Sequence, residues 1–141
     1  HGLESRDIFN EAFYVALPKK HTLAIKNKIS IQQLQDENLL LLDEGHCLRE
    51  QALEACHLSG VQLKNSFRAT SLETLRHLVA DNHGLTLLPE LSLPSLQKNT
   101  SIAILPFTMP EPFRRIGMLW REGSARKICC EKMVELIQQS L

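Results

Sequence analysis

Short apolar runs alternate along the chain with longer segments whose apolar residues recur at helical spacing. Runs of this length are typical of buried strands, and proline directly follows the runs that end at residues 17, 88 and 105. The predicted strands are 13–17, 39–42, 67–69, 85–88, 102–105 and 116–120. Alternation of strands and helices predicts an α/β fold in which at least some strands pair in parallel.

The helical segments carry start and stop signals. One helix is predicted from residue 46 or 47 to about residue 59, and Thr70 with Glu73 has the form of a capping box for the next helix. Prolines within 106–112 interrupt the pattern and predict a linker between two lobes. A final helix is predicted over residues 125–141. Its apolar side consists of Ile128, Met133, Leu136 and Ile137.

Composition narrows the class of protein. With 141 residues, 43% of them hydrophobic, the chain is predicted to be one domain or a large piece of one. The 16 basic and 16 acidic residues cancel, so no electrostatic footprint for nucleic acid is present. No membrane span or signal peptide is recognisable, and four cysteines are too few for a disulfide scaffold. We therefore expect free thiols, a reducing cytoplasmic compartment and no cofactor.

Cys47 stands where the helix after the second strand is predicted to begin. The positive end of the helix dipole, free backbone N–H groups and the neighbours His46 and Arg49 favour the thiolate form of this cysteine. Asp43 and Glu44 act in the opposite direction. The local chemistry leaves two interpretations open, a reactive thiol or an inert one that simply follows a strand.

Cys56 follows Cys47 by nine residues. On one straight helix the two Cα atoms would lie about 13 Å apart and on opposite faces, because each residue rises about 1.5 Å. A disulfide requires Cα atoms within about 7 Å. Either the bond never forms, and Cys56 packs in the core beside Leu53, or the helix between the cysteines unwinds when it forms.

The remaining candidates are weaker. Cys129 and Cys130 are adjacent on the final helix, so one is predicted to face inward and the other to lie near the surface. No two histidines have the i, i+4 spacing of a helical metal site, and no metal is expected. Arg68, Arg114 and Arg115 could pair with carboxylates or hold an anionic intermediate.

Several sequence runs resemble the peroxide-sensing members of the LysR-type transcriptional regulators. The runs are GHCLREQA at 45–52 with Cys56 in register, FRATSLETLR at 67–76, GLTLLP at 84–89 and PEP with an arginine pair at 110–115. The resemblance extends from about residue 13 to the end of the chain. It implies a regulatory domain built from two Rossmann-like α/β lobes that resemble periplasmic binding proteins.

The resemblance also implies how the chain is divided. Residues 1–11 would form an edge or hinge from the first lobe, and residues 12–109 the second lobe with a redox switch segment at 43–69. Residues 110–141 would supply the returning strand and C-terminal helix of the first lobe. The DNA-binding helix-turn-helix, its linker helix and the first half of lobe one would lie outside this sequence.

In such a domain Cys47 would be the peroxidatic thiol, oxidised by hydrogen peroxide to a sulfenic acid, and Cys56 the resolving thiol. Their disulfide would refold the intervening segment. The supporting residues would be His46, Arg49, Glu50, Arg68 and Arg114. His46 and Arg114 would lie near the reactive sulfur, Glu50 stands where the family more often has Asp, and Arg68 would lie near Cys56 in the reduced form.

The implied partners belong to a regulator rather than an enzyme. Family members are dimers or tetramers, and oxidation changes how the subunits pack and contact promoter DNA through the helix-turn-helix domain. RNA polymerase would receive the output, and glutaredoxin with glutathione would reset the switch.

Two other functions remain as alternatives. A LysR-type effector domain would bind a small anion between lobes, for example at the helix N-terminus near Thr70 and Ser71, with the cysteines incidental. A thiol peroxidase would turn over repeatedly with added reductant, but the residues around Cys47 do not resemble peroxidase motifs.

Overall fold

The structure, a computed structural model, describes residues 2–43, 46–58, 69–95 and 101–141. The strands are β1 (Leu3–Pro18), β2 (Leu39–Leu40), β3 (Leu85–Pro89), β4 (Ile102–Pro106) and β5 (Phe113–Arg121). The helices are α1 (Cys47–Ala55), α2 (Leu72–Ala80) and α3 (Lys127–Gln139), with 3₁₀ turns at Thr22–Ile25, Ile31–Leu34 and Glu90–Ser95. None of the helices in these ranges is both long and apolar enough to cross a membrane.

The chain forms two compact units, and the long strand β1 contributes its first part to one and its second part to the other. One unit comprises His1–Glu11 with Arg115–Leu141, and the other comprises Ala12–Arg114. The sequence predicted only the second part of β1, at 13–17, because residues 3–10 lack a continuous apolar run.

The larger unit is built on a mixed sheet in the order β2-β3-β1-β4. The central strand β1 pairs antiparallel with β3 and with β4, whereas β2 and β3 are parallel, as the alternating pattern predicted. Gly84 precedes β3 at a close approach to strand β2, since a Cβ there would clash with the backbone oxygen of Asn38. The sheet thus contains both parallel and antiparallel pairs, and the fold is of the α/β class.

Both faces of this sheet are covered by apolar side chains. One core cluster contains Phe13, Val15 and Leu17 of β1 together with Leu53 and Cys56 from the end of α1. The other face, which includes Leu40 and Leu88, packs against Leu75 and Val79 of α2. Alternate residues of β1 therefore enter opposite cores, which accounts for its uninterrupted apolar sequence.

In the smaller unit, β5 pairs with β1, and Glu122 donates its backbone N–H to the carbonyl of Gly2 over 2.9 Å. Helix α3 buries Val134, and the Gln138 amide donates to the carbonyls of residues 7 and 8. The predicted apolar side of this helix was wrong at three of its four residues, whereas Ile137 is half-buried. Ile128 is 79% exposed, and Met133 and Leu136 are also exposed, because the buried stripe is centred on residue 134.

Two helix boundaries also differ from the prediction. Helix α1 ends at Ala55 rather than near residue 59, because the chain turns at Cys56 and His57. Helix α2 is capped by Ser71, whose hydroxyl accepts the N–H of Thr74, rather than by Thr70. The predicted strand 67–69 falls outside the described residues except for Ala69, which forms a parallel bridge with Leu42.

Candidate redox site

Helix α1 begins at Cys47, as the sequence predicted. His46 is the N-cap with extended backbone angles, and its carbonyl accepts the N–H of Arg49 over 3.0 Å. The Cys47 N–H lies among the first backbone donors of the helix, which have no partner within the helix itself. Cys47 is exposed and not in a disulfide. A sulfur there can meet a small solute in the field of the helix N-terminus.

Arg49 and Glu50 take different positions around this helix start. The Arg49 guanidinium donates to the carbonyl of Leu42 over 2.9 Å and lies 3.9 Å from the Glu50 carboxylate. Arg49 is two residues after Cys47, and side chains at this spacing do not share a helix face. Its hydrogen bond to Leu42 instead anchors α1 to the chain after β2. Glu50 shares a face with Cys47 at spacing i, i+3, and its side chain is 69% exposed.

Arg114 reaches the same helix from the start of β5. Its Nη1 donates to Oε1 of Gln51 over 3.0 Å. Gln51 lies one turn after Cys47 at spacing i, i+4, which places the two side chains on one face with Cβ atoms about 5–6 Å apart. The sequence interpretation did not single out Gln51, although its spacing from Cys47 on a predicted helix was a usable signal.

Cys56 lies in a different environment at the other end of α1. It is the C-cap, its relative exposure is 0%, and it belongs to the core cluster with Leu53 and Leu58. Burial raises the pKa of the Cys56 thiol to about 12. This thiol is therefore protonated at neutral pH and out of contact with solvent.

The chain turns out of α1 through a hydrogen-bonded motif at 53–58. The N–H of Leu58 donates to the carbonyl of Leu53 over 2.8 Å, and the N–H of His57 donates to that of Glu54 over 3.1 Å. This is the Schellman arrangement, whose turning residue adopts left-handed backbone angles. Here that residue is His57, with φ of 53°, rather than the glycine that usually occupies the position.

The cysteines of α1 are thus held apart. With Cys47 at the first helical position and Cys56 as the C-cap of a nine-residue helix, their Cα atoms lie about 13 Å apart. Cys129 and Cys130 belong to α3 in the smaller unit, one exposed and the other half-buried, as predicted. Arg68 and Glu44 lie outside the described residues.

The described residues give little support to a metal site or to an anionic effector at α2. Over 2–43, 46–58, 69–95 and 101–141 no group of three or more His, Cys, Asp or Glu is placed to hold a metal ion. At α2 the Ser71 hydroxyl already accepts a first-turn N–H, and Glu73 adds a carboxylate to that turn. A negatively charged effector at this helix N-terminus would have to compete with both groups.

Comparison with known proteins decides the family. The pattern of the LysR substrate binding domain matches residues 1–141. The chain belongs to the LysR substrate-binding domain family. The hydrogen peroxide-inducible genes activator of Escherichia coli O157:H7 is 40% identical over 131 residues, which are 93% of this chain and 43% of that protein. The chain thus spans less than half the length of such relatives.

Solved structures of OxyR proteins agree with this family assignment. The reduced form of the OxyR regulatory domain from Pseudomonas aeruginosa superposes with a TM-score of 0.82 at 35% identity, covering 99% of this chain and 67% of that one. The oxidized form of OxyR superposes with a TM-score of 0.81 at 38% identity, covering 99% and 66%. The resemblance to OxyR regulatory domains that the sequence motifs indicated, and the α/β fold that it implied, are confirmed.

Proposed function

We propose that this chain is the redox-sensing part of an OxyR-like transcription regulator, and that it acts as a switch rather than as an enzyme. Hydrogen peroxide would react with the Cys47 thiolate, which forms a sulfenic acid as the O–O bond breaks and hydroxide leaves. The Cys56 thiol would then attack that sulfur and form the disulfide, with water as the second leaving group.

The observation that carries the proposal is the placement of an exposed thiol and a buried thiol at opposite ends of one short helix. Because Cα atoms about 13 Å apart cannot be bridged, the disulfide is incompatible with a folded α1. Oxidation would therefore have to unfold α1 and draw Cys56 out of the core. Oxidation of the Cys47 sulfur would thereby rearrange the whole segment between the two cysteines.

Two contacts of α1 support roles for Arg114 and Arg49, and the other roles are those that the family resemblance implies. Arg114, which donates to Gln51 on the turn after Cys47, would stabilise the thiolate and the leaving hydroxide, and His46 would contribute from the N-cap. Glu50 would lie on the face of the reactive sulfur, Arg49 would hold α1 in place, and Arg68 would act near Cys56.

The output and the reset depend on other parts and partners. We propose that residues 12–109 form the lobe with the switch at 43–69, and that 1–11 and 110–141 belong to the first lobe. Unfolding of α1 would change how regulatory domains pack in a dimer or tetramer, and thereby the contacts that a separate domain makes with promoter DNA and RNA polymerase. The glutaredoxin and glutathione system would reduce the disulfide in the cytoplasm.

Peptide mapping by mass spectrometry after near-stoichiometric hydrogen peroxide tests the proposal. A Cys47–Cys56 disulfide should form within seconds and reverse with added thiol. Cys47→Ser should abolish the response, and Cys56→Ser should leave a trappable sulfenic acid on Cys47. Two free thiols after treatment, or oxidation confined to Cys129 and Cys130, would refute the switch.

A further inference from the structure

The two cysteines of α3 and a methionine one turn later carry three sulfur atoms on neighbouring positions of this helix. Cys129 is exposed, Cys130 is half-buried, and both are free thiols. Met133 is 51% exposed. These residues belong to the smaller unit, whereas the proposed switch belongs to the larger one, so the switch leaves their chemistry unused.

Another side of α3 holds the helix against the strands of the smaller unit. Val134 is buried, and the Gln138 amide donates to two carbonyls of β1. Because each residue turns the helix by about 100°, Cys129 and Met133 point at least about 100° away from Val134. Their side chains therefore do not belong to the face that packs against β1.

Helical geometry brings the three sulfur-bearing side chains together. Cys129 and Cys130 point about 100° apart in the first turn of α3, and Met133 points between these two directions one turn later. Residues at spacing i, i+3 and i, i+4 have Cβ atoms about 5–6 Å apart. A long side chain on a helix leans toward the N-terminus, and methionine is flexible enough to adapt its position. The Met133 thioether can therefore reach the space beside both thiols.

Two thiols and one thioether are a soft set of ligands, which suits Cu(I) and Zn²⁺. A structural Zn²⁺ site takes four ligands from cysteine, histidine and carboxylates. In the part of the chain that the structure describes, no three such residues are placed to hold a metal ion. Cu(I), in contrast, is satisfied by two or three sulfur ligands. The soft monovalent ion is therefore the one that this set fits.

The electrostatic environment also suits such a complex. Cu(I) bound by two thiolates carries one net negative charge. The complex would lie in the first turn of α3, where the N-terminal end of the helix dipole favours negative charge. The guanidinium of Arg126, the N-cap residue, adds a positive charge at the same end of the helix.

We propose that Cys129, Cys130 and Met133 form a binding site for one Cu(I) ion. The two thiols lose their protons and bind the ion as thiolates, and the Met133 thioether is the third ligand. The site is separate from the peroxide switch, and it does not depend on the function proposed for Cys47.

The test is Cu(I) binding by the complete protein that carries this domain. Cys47→Ser and Cys56→Ser are introduced throughout, so that the thiols of α1 do not contribute. Anaerobic titration against bathocuproine disulfonate, a chromophoric Cu(I) chelator, gives the stoichiometry and the affinity. We expect one tightly bound Cu(I) per chain, with the release of two protons per ion.

Substitutions in this background identify the ligands. Cys129→Ser and Cys130→Ser should each weaken Cu(I) binding about a hundredfold, because serine is a hard ligand. Met133→Leu keeps an apolar side chain of similar volume and should weaken binding about tenfold. Met109→Leu is the matched control, since this methionine is 77% exposed in the larger unit, and it should leave the affinity unchanged.

X-ray absorption at the copper edge reports the ligands directly. The parent protein should show three sulfur neighbours, and the Met133→Leu variant two. Less than one Cu(I) per chain, unchanged affinity in both serine variants, or nitrogen ligands at the copper would overturn the site. Unchanged affinity in Met133→Leu would refute the three-ligand site. Each of these results leaves the redox function of Cys47 untouched, because the switch thiols are absent from the experiment.

Discussion

Replacing His57 with glycine should slow formation of the Cys47–Cys56 disulfide about fivefold. His57 adopts a φ of 53° in the turn that ends α1, and this region costs an L-residue about 1–2 kcal/mol. Glycine removes that cost but is about 0.5–1 kcal/mol more flexible once the turn opens. The net effect is to stabilise the closed turn by about 1 kcal/mol, or about fivefold in the open population.

The matched variant is His57→Ala, which also loses the imidazole but keeps the steric cost of the left-handed region. The backbone N–H of Leu58, which donates to Leu53, reports opening of the turn through hydrogen exchange. Quenched samples after peroxide give the rate of disulfide formation once the sulfenic acid has formed. Both hydrogen exchange and disulfide formation should be about fivefold slower in His57→Gly than in His57→Ala. Slower exchange with an unchanged disulfide rate would refute opening of this turn as the limiting step.

Three further predictions concern ionisation and anchoring. Burial raises the Cys56 pKa from 9.0 to about 12, so the folded state should lose stability between these pH values, by up to about 1.4 kcal/mol per unit, and Cys56→Ala should abolish this loss. The Lys127 ammonium lowers the pKa of Glu4 from its usual value of 4.5. The interaction between the two side chains should therefore stabilise the fold above pH 4.5 and lose this effect as the pH falls below that value. Tryptophan fluorescence should show Glu4→Gln to be less acid-sensitive than wild type, with Glu122→Gln as the unaffected control. Arg49→Met removes a charged hydrogen bond to the chain after β2 and should destabilise the domain by about 1.5–3 kcal/mol in denaturant titrations, whereas a loss below 0.5 kcal/mol would contradict the anchoring role.

Much of the site could be predicted locally, because helix starts have sequence signatures. The stop of the apolar run at residue 42 and the step into GHCLRE predicted a helix that begins at Cys47, and the structure confirms it. The C-terminal end of α1 was predicted about four residues too late. The residue that turns the chain is His57, which carries none of the glycine signal on which such predictions depend.

Contacts between distant segments could not be predicted from local sequence patterns. Arg114 and Gln51 are 63 residues apart, and only the course of the chain into β5 brings the guanidinium to α1. The apolar side of α3 was misassigned for a related reason. Several of its residues are apolar, and which stripe is buried depends on the strands beneath, which select Val134.

The sequence by itself determined the α/β class, the parallel pairing within it, and the distance between the two cysteines of α1, because helical rise and apolar periodicity are properties of local chain geometry. It left open whether Cys56 is accessible and which side chain of α1 Arg114 contacts. Tertiary packing decided both points. Burial in the core keeps the Cys56 thiol protonated, and the fold brings the Arg114 guanidinium within hydrogen-bond distance of Gln51. Burial and long-range contacts depend on every segment at once, and no local pattern contains them.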